Sequence, residues 1–194
     1  MTSQTQQTPG QGSPRIPSPA PQGALTRPVL VQALVFLTFG LITVFLQEPS
    51  LVAASVLLAL YLLALGASSY YFSRSLGLDD PALGRALASL GLVLMAAGGL
   101  LLVLQPHAFP LALISSLVLG VTGLFKLLAA GRPSAGPLAR DWRLEGIVLM
   151  LSALGLPLLA DLGAKALLGT AGASALVAGI FGLIGALSPG GKKS

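Results

Sequence analysis

Long apolar runs alternate with short polar segments along most of the chain. Charges and turn residues delimit six runs, at Pro28 to Gln47, Leu51 to Ser73, Ala86 to Gln105, Ala108 to Ala130, Trp142 to Ala160 and Lys165 to Leu187. Each run has about the 20 residues that an α-helix needs to cross a hydrocarbon core roughly 30 Å thick. Strands of a membrane barrel would alternate apolar and polar residues, whereas residues 92–104, LVLMAAGGLLLVL, are apolar on every face. The pattern predicts an all-α polytopic membrane protein with six transmembrane helices.

The composition agrees with a chain that lies mostly in lipid. The 194 residues are 54% hydrophobic and 9% charged, whereas soluble domains have about 25% charged residues. Residues 1–26 are rich in Gln, Pro, Ser and Thr and are predicted to form a disordered cytoplasmic tail. That tail has no apolar stretch of the kind found in signal peptides, so we expect the first helix to act as an uncleaved signal anchor. The six-helix domain is expected over 27–187, followed by a short basic cytoplasmic tail at 188–194.

Basic residues are distributed unevenly between the two ends of the predicted helices. Ten of the eleven lysines and arginines lie in the tails, in the loops 74–85 and 131–143, or near the end of the fourth helix, and Lys165 alone lies opposite. Cytoplasmic loops of membrane proteins carry an excess of Lys and Arg. We therefore expect both termini and both longer loops to be cytoplasmic. The other side is expected to hold three short outer turns, at 47–50, 105–108 and 161–164.

A period of 57 or 58 residues recurs along the chain. Three features share it: a basic residue at the start of each odd-numbered helix, a proline or glycine in each outer turn, and a glycine late in each even-numbered helix. The basic residues are Arg27, Arg85 and Arg143; the turn residues are Pro49, Pro106 and Gly163; the late glycines are Gly66, Gly123 and, around the third place, Gly179 and Gly182. We therefore predict three repeated helical hairpins, at about 27–82, 83–140 and 141–187, related by an axis near the membrane normal.

Small residues four positions apart occur in the even-numbered helices. The patterns are Ala64xxxSer68, Ser116xxxGly120 and Ala178xxxGly182. Such spacing lets helix backbones approach closely in a membrane. We expect the even-numbered helices to pack at the centre of the bundle.

Two ionisable residues, Glu145 and Lys126, interrupt the apolar runs. An ionisable residue inside a membrane is a functional candidate. Glu145 lies one turn inside the fifth helix, so it is either an interfacial carboxylate paired with Arg140 or Arg143 or part of a proton relay. Lys126 is close enough to the end of the fourth helix for its ammonium group to reach the membrane surface, and we interpret it as a snorkelling anchor.

His107 and Glu48 occupy equivalent outer turns and are the other two candidate functional residues. Histidine changes its charge near neutral pH, so His107 is a candidate pH sensor on the outer side. The alternative is that His107 is simply a polar residue in a turn made by Pro106.

Sequence motifs of enzymes and cofactor sites do not occur in the chain. Phosphate-binding loops, HExxH metal sites and GxSxG nucleophile elbows are missing, and the chain has no cysteine for thiolate or disulfide chemistry. We expect a non-enzymatic protein with no cofactor, no catalytic residue and no metal site. Its net charge of +5 reflects membrane topology and does not predict a nucleic-acid partner.

The helix arrangement and its Gly, Pro and Arg positions resemble the bacterial HdeD-like acid-resistance membrane proteins. The segments that carry the resemblance are FGL (39–41), QEP (47–49), LGA (65–67), SRS (73–75), GGLLLVLQP (98–106), GVTGLFKLLAAGR (120–132) and DWRLEGIVLMLSALG (141–155). The resemblance covers 27–187; the proline-rich tail and the glycine in the third outer turn depart from the family pattern. It implies an integral protein of the bacterial inner membrane, linked in some bacteria to survival in acid, and it transfers no catalytic residue.

We therefore expect a non-enzymatic inner-membrane protein of the HdeD-like type that contributes to acid or envelope stress tolerance. Two alternatives remain open: a small channel or transporter subunit, and an assembly or interaction partner acting through its cytoplasmic tail and loops. The expected partners are the lipid bilayer and either further copies of the chain or other membrane proteins. No small-molecule substrate can be identified from the sequence.

Overall fold

Each of the six apolar runs forms an α-helix in the computed structural model, which describes residues 23–75 and 80–187. The helices are α1 (Gly23–Phe45), α2 (Leu51–Ser75), α3 (Pro81–Val103), α4 (Ala108–Ala130), α5 (Ala139–Leu158) and α6 (Ala164–Leu187). Because α1 begins at Gly23, residues 23–26 belong to this helix and not to the predicted tail. The remainder of that tail, 1–22, and the basic tail at 188–194 lie outside the described residues.

Five of the helices, α1 to α4 and α6, are long and apolar enough to cross a membrane. Their outward faces carry exposed large apolar side chains such as Leu34, Leu117 and Ile184, a surface that suits lipid better than water. The first seven positions of α5 hold four charged residues, which set this helix apart from the other five. The fold is consistent with a multi-pass membrane protein.

The helices form a closed ring in which neighbours run antiparallel. Each helix contacts the next one along the chain, and α6 also contacts α1. One end of the bundle, where α1, α3 and α5 finish, is called the turn end below; the other, where α2 and α4 finish, is called the loop end. The closest pairs are α2 with α3, α4 with α5, and α1 with α6. These pairs lie between the predicted hairpins and not within them.

Glycines explain why those pairs are close. A methyl group on Gly66 would lie 2.6 Å from the carbonyl oxygen of Gly91, and one on Gly91 would lie 2.7 Å from that of Gly66. Between α4 and α5, Gly123 and Gly146 make the same reciprocal approach, at 2.8 and 2.9 Å. Gly179 of α6 faces α1, where its methyl group would lie 2.8 Å from Leu37 Cγ. Backbones in contact at these points leave no room for a side chain.

Across the ring, α2 contacts both α4 and α6. Two of the predicted small-residue motifs serve different contacts. Ser116 donates a hydrogen bond to the carbonyl oxygen of Ala153 in α5, and Gly182 lies against Ala33 in α1. Ser116 and Gly182 therefore lie in the contacts of α4 with α5 and of α6 with α1, which are among the closest helix pairs.

Asp80 fixes the start of α3 and ties two connections together at the loop end. Its carboxylate accepts hydrogen bonds from the backbone N–H groups of Ala82, at 3.0 Å, and Leu83, at 3.1 Å, as an N-cap should. The carboxylate also faces Arg132 and Ser134 from the connection before α5. The hydrogen bond from Leu83 contributes most to lowering the pKa of Asp80. Helix α3 begins directly after Asp80.

The third outer turn differs from the other two in its backbone. Gly163 has a φ of 85°, in the left-handed region that glycine adopts readily. The first two turns have Pro49 and Pro106 at the related positions, and proline cannot adopt a positive φ. The change from proline to glycine noted in the sequence therefore accompanies a different turn, in which a short 3₁₀ segment, Ala160–Leu162, precedes α6.

Candidate functional site

A lysine–glutamate ion pair crosses the interface between α4 and α5 near the loop end. Lys126 Nζ donates a hydrogen bond to Glu145 Oε1, and the two side chains are only 4% and 13% exposed. Lys126 lies one turn before the end of α4, and Glu145 lies nearly two turns into α5. Removing two charges from water is costly unless they are paired at close range. The pairing makes burial of both groups tolerable.

Helix α1 completes the cluster from the other side of the ring. Gln32 is buried, and its Nε2 donates a hydrogen bond of 3.2 Å to the same Glu145 Oε1. The Lys126 ammonium lies 5.9 Å from the centre of the Phe36 ring, within range for a cation–π interaction. Side chains from α1 and from the consecutive helices α4 and α5 thus meet at a single carboxylate.

A narrow cleft of about 20 Å³ leads to Glu145 between α1, α5 and α6. Its polar lining includes Gln32, Asp141 and Glu145. Its apolar lining consists of Val29, Ala33, Phe36, Phe72, Leu138, Trp142, Ala178, Phe181 and Gly182. A water molecule needs roughly 10–15 Å³ measured in this way, whereas sites for drug-sized ligands enclose about 300–1,000 Å³. The cleft therefore suits water or a similarly small species, and it is too small for an organic cofactor.

Two glycines of α6 lie at or next to the cleft. Gly182 lines it and faces Ala33 of α1. Gly185 lies against the carboxylate of Asp141, which a side chain at position 185 would displace. Asp141 occupies the first turn of α5, before the span predicted from Trp142. Burial raises the pKa of Asp141, and the nearby positive charge of Arg140 partly opposes that change.

Two interpretations from the sequence need correction. Lys126 does not snorkel to the surface, because its side chain is buried and turns towards α5. The carboxylate of Glu145 pairs with Lys126 and Gln32, not with the predicted partners Arg140 and Arg143, both of which are exposed. To pair with Arg140 or Arg143, the carboxylate of Glu145 would have to lie on the exposed side of α5. It lies instead on the side of α5 that faces α4.

The structure separates His107 and Glu48 from Glu145. Both are exposed and lie in turns at the turn end. His107 is the N-cap residue of α4, but its side chain makes no capping hydrogen bond. Along α4, the 18 positions between His107 and Lys126 correspond to almost 30 Å at about 1.5 Å per residue. The histidine is therefore remote from the buried ion pair.

Gln32 and Asp141 are parts of the cluster that the sequence reasoning missed. Gln32 interrupts the apolar run of α1, and Asp141 lies four positions before Glu145, on the same face of α5. The pairing of Lys126 with Glu145 also had a signal in the sequence. The two residues lie near the end of one predicted helix and the start of the next, and antiparallel packing of consecutive helices brings such positions together. The approach of α1 to α5 had no comparable local signal.

Chemically, the cluster can hold a charge pair in an apolar bundle and expose one carboxylate to a water-sized cleft. Within residues 23–75 and 80–187, no group of three or more His, Asp or Glu side chains is arranged to hold a metal ion. Comparison with protein-family models, curated proteins and solved structures gave no match for the chain.

Proposed function

We propose that all six helices cross the membrane, including α5. This helix packs against α4 from the Gly123–Gly146 contact near the loop end to the Ser116–Ala153 hydrogen bond towards the turn end. A helix aligned in this way shares the depth of α4 in the bilayer. Pairing with Lys126 neutralises Glu145, and the remaining charges of α5 lie in its first two turns, at the level expected of the membrane surface.

The proposed orientation has the loop end in the cytoplasm of a bacterium and the protein in its inner membrane. Exposed arginines, including Arg74, Arg85, Arg132 and Arg140, lie at the loop end, and such residues favour the cytoplasmic side. With six spans, both termini are on that side too.

Single cysteines test this orientation, because the chain has none of its own. In cells expressing Glu48→Cys or His107→Cys, a membrane-impermeant maleimide added from outside is expected to label the protein. Gly131→Cys, at an exposed position with a φ of −80° that any residue adopts, is expected to react only after the membrane is opened. Labelling of Gly131→Cys in intact cells would reverse the proposed orientation.

We also propose that the chain consists of three repeated hairpins. Supporting this, Gly66, Gly123 and Gly179 each face the helix that begins the next repeat, and for the third that helix is α1. The ion pair breaks the symmetry. Counting from these glycines, Ser69, Lys126 and Gly182 are equivalent, and only the second is charged.

The function best supported is that of a non-enzymatic inner-membrane protein of the HdeD-like type that contributes to acid or envelope stress tolerance. The observation that carries this proposal is the Lys126–Glu145 pair with Gln32, placed at the water-sized cleft of an otherwise apolar bundle. A small cleft and a protonatable carboxylate suit a response to protons better than conversion of an organic substrate. The resemblance described from the sequence supplies the physiological setting.

Acid survival tests the function in the cell. A strain lacking the protein is expected to survive acid exposure less well than its parent, and the wild-type gene should restore survival. Complementation with Glu48→Gln, which changes an exposed carboxylate far from the cluster, should restore it as well. Equal survival of the deletion strain and its parent, with the protein demonstrably expressed in the parent, would remove the stress role.

The channel alternative is less well supported by the packing. Large side chains fill the middle of the bundle and are almost completely buried, among them Phe36, Leu58, Leu62, Leu94, Leu119, Leu149 and Leu167. An aqueous pore through one copy would require these residues to separate. Sustained ion flux through the purified protein in liposomes would favour the channel reading nonetheless.

A further inference from the structure

We propose that the cleft between α1, α5 and α6 is a proton-binding site, in which Glu145 Oε2 takes up a proton from water entering at the loop end. The inference rests on the proposed membrane placement of the helices but not on the stress role. It gives the cluster a defined ligand, the proton, and a defined acceptor atom.

The hydrogen bonds of Glu145 identify that atom. Lys126 Nζ and Gln32 Nε2 both donate to Oε1. Oε2 has no donor among the described residues, and it is not among their buried, unpartnered polar atoms. Because Glu145 lines the cleft, Oε2 is the carboxylate oxygen that cleft water can reach. A carboxylate that retains an open oxygen beside water can accept a proton there.

Asp141 provides a second carboxylate along the same path. It lines the cleft one helical turn nearer the loop end than Glu145, and residues four apart lie on the same face of a helix. Its raised pKa means that it binds a proton at a higher pH than an exposed aspartate does. Asp141 is therefore suited to pass protons between external water and the water in the cleft.

The charges around Glu145 come from few elements. Helix α4 contributes Lys126, and α5 contributes Asp141 together with the exposed Arg140 and Arg143. The α1 residues that line the cleft are uncharged, and Gln32 is the polar one among them.

Helices α2 and α6 add no charged side chain to the lining of the cleft. From α2, the buried phenol of Tyr61 is within electrostatic range of Glu145. The α6 residues that line the cleft, Ala178, Phe181 and Gly182, are uncharged.

The step itself is a simple proton transfer. A hydronium ion in the cleft, or protonated Asp141 acting through water, gives up a proton, and an O–H bond forms at Glu145 Oε2. No electrons change hands. The carboxylate becomes neutral while Lys126 stays positive, so the pair changes from net neutral to a charge of +1. An ammonium buried without its counter-charge is unfavourable, and the contact between α4, α5 and α1 weakens as a result.

Trp142 reports on this site directly. It is the only tryptophan in the chain, it lines the cleft beside Glu145, and its ring centre lies 6.1 Å from that of Phe72. The experiment measures tryptophan emission of the full chain in lipid nanodiscs from neutral to acid pH. Circular dichroism is recorded in parallel to establish that the helices persist.

We expect a reversible titration of Trp142 emission in the wild type and in Glu48→Gln, which changes an exposed carboxylate far from the cleft. Glu145→Gln should abolish it. Should this variant fail to fold, the double variant Lys126→Gln with Glu145→Gln keeps a neutral, hydrogen-bonding pair and should fold without titrating.

Three outcomes would overturn the site: no titration in the wild type, a titration that persists in Glu145→Gln, or one that is lost in Glu48→Gln. The stress role fails separately, through the survival assay. A titrating wild type with no acid-survival phenotype would keep the site and remove the role, and an acid-sensitive deletion strain with a protein that does not titrate would do the reverse.

Discussion

Replacing Glu145 by leucine is expected to destabilise the protein by about 3–5 kcal/mol, the cost of removing one partner from a buried ion pair. The substitution leaves the Lys126 ammonium buried with only the face of Phe36 beside it. The reciprocal change, Lys126→Met, should cost less. The carboxylate that it leaves behind keeps the hydrogen bond from Gln32 and the water of the cleft.

The double variant Glu145→Leu with Lys126→Met separates charge from packing. Replacing both members of a buried pair by apolar residues of similar size is often neutral or stabilising. We therefore expect the double variant to recover most of the stability lost in Glu145→Leu. Lys165→Met, which removes an exposed lysine at the turn end, serves as the control and should change stability by no more than about 0.5 kcal/mol.

Unfolding by a denaturing detergent, starting from mixed micelles and followed by circular dichroism, measures these differences. If the double variant were as unstable as the sum of the two single variants, loss of packing and not an unpaired charge would be the cause. The cost of leaving Lys126 buried without its counter-charge would then not explain the instability of Glu145→Leu.

The helices themselves could be predicted closely from the sequence. Leu51 and Ala108 were predicted as the first residues of α2 and α4 and are where those helices begin. In a membrane every backbone N–H and C=O group must be satisfied within the chain, so an apolar run of the right length has little alternative to a helix. The start of α1 was predicted too late, because its residues 23–26 lie outside the apolar run. The thickness of a membrane sets the length of the apolar run, but a helix can continue beyond that run.

The partners of each helix were harder to predict. The period of 57 or 58 residues singled out Gly66 and Gly123, and both lie in close helix contacts, but the period did not say which helix each one faces. The prediction of three hairpins did not say which pairs of helices pack most closely. The tightest contacts follow the glycines, because only there can backbones touch.

The candidate site was predicted in part for a similar reason. Glu145 was identified because a charged side chain within an apolar run is energetically costly and therefore marks a candidate site. Its pairing with Lys126 follows from the antiparallel packing of two consecutive helices. The contribution of Gln32 depends on α6 returning beside α1 and closing the ring, and no local pattern around Gln32 contains that information.

Alanine at Gly66 or Gly123 is expected to destabilise the bundle by about 1–3 kcal/mol, as overpacking of a close contact does. The new methyl group would lie 2.6 Å from the Gly91 carbonyl oxygen in the first case and 2.8 Å from that of Gly146 in the second. Backbone atoms on both sides cannot rotate away, so the helices must separate. Gly179→Ala should also destabilise the bundle, because its methyl group would lie 2.8 Å from Leu37 Cγ and 3.0 Å from the backbone nitrogen of Leu37.

Two other glycines provide matched controls. Gly99 and Gly169 lie within helices, and a methyl group at either would have no neighbouring atom within 4 Å. Alanine there should be neutral or should stabilise the helix by up to about 1 kcal/mol, since alanine is the better helix former. Gly98→Ala makes the sharpest comparison, because Gly98 is adjacent to Gly99 but faces the carbonyl oxygen of Ala59 at 2.7 Å. Equal stability of the Gly98→Ala and Gly99→Ala proteins in the same detergent titration would contradict the close approach of α2 and α3, and with it the argument that glycine positions determine which helices pair.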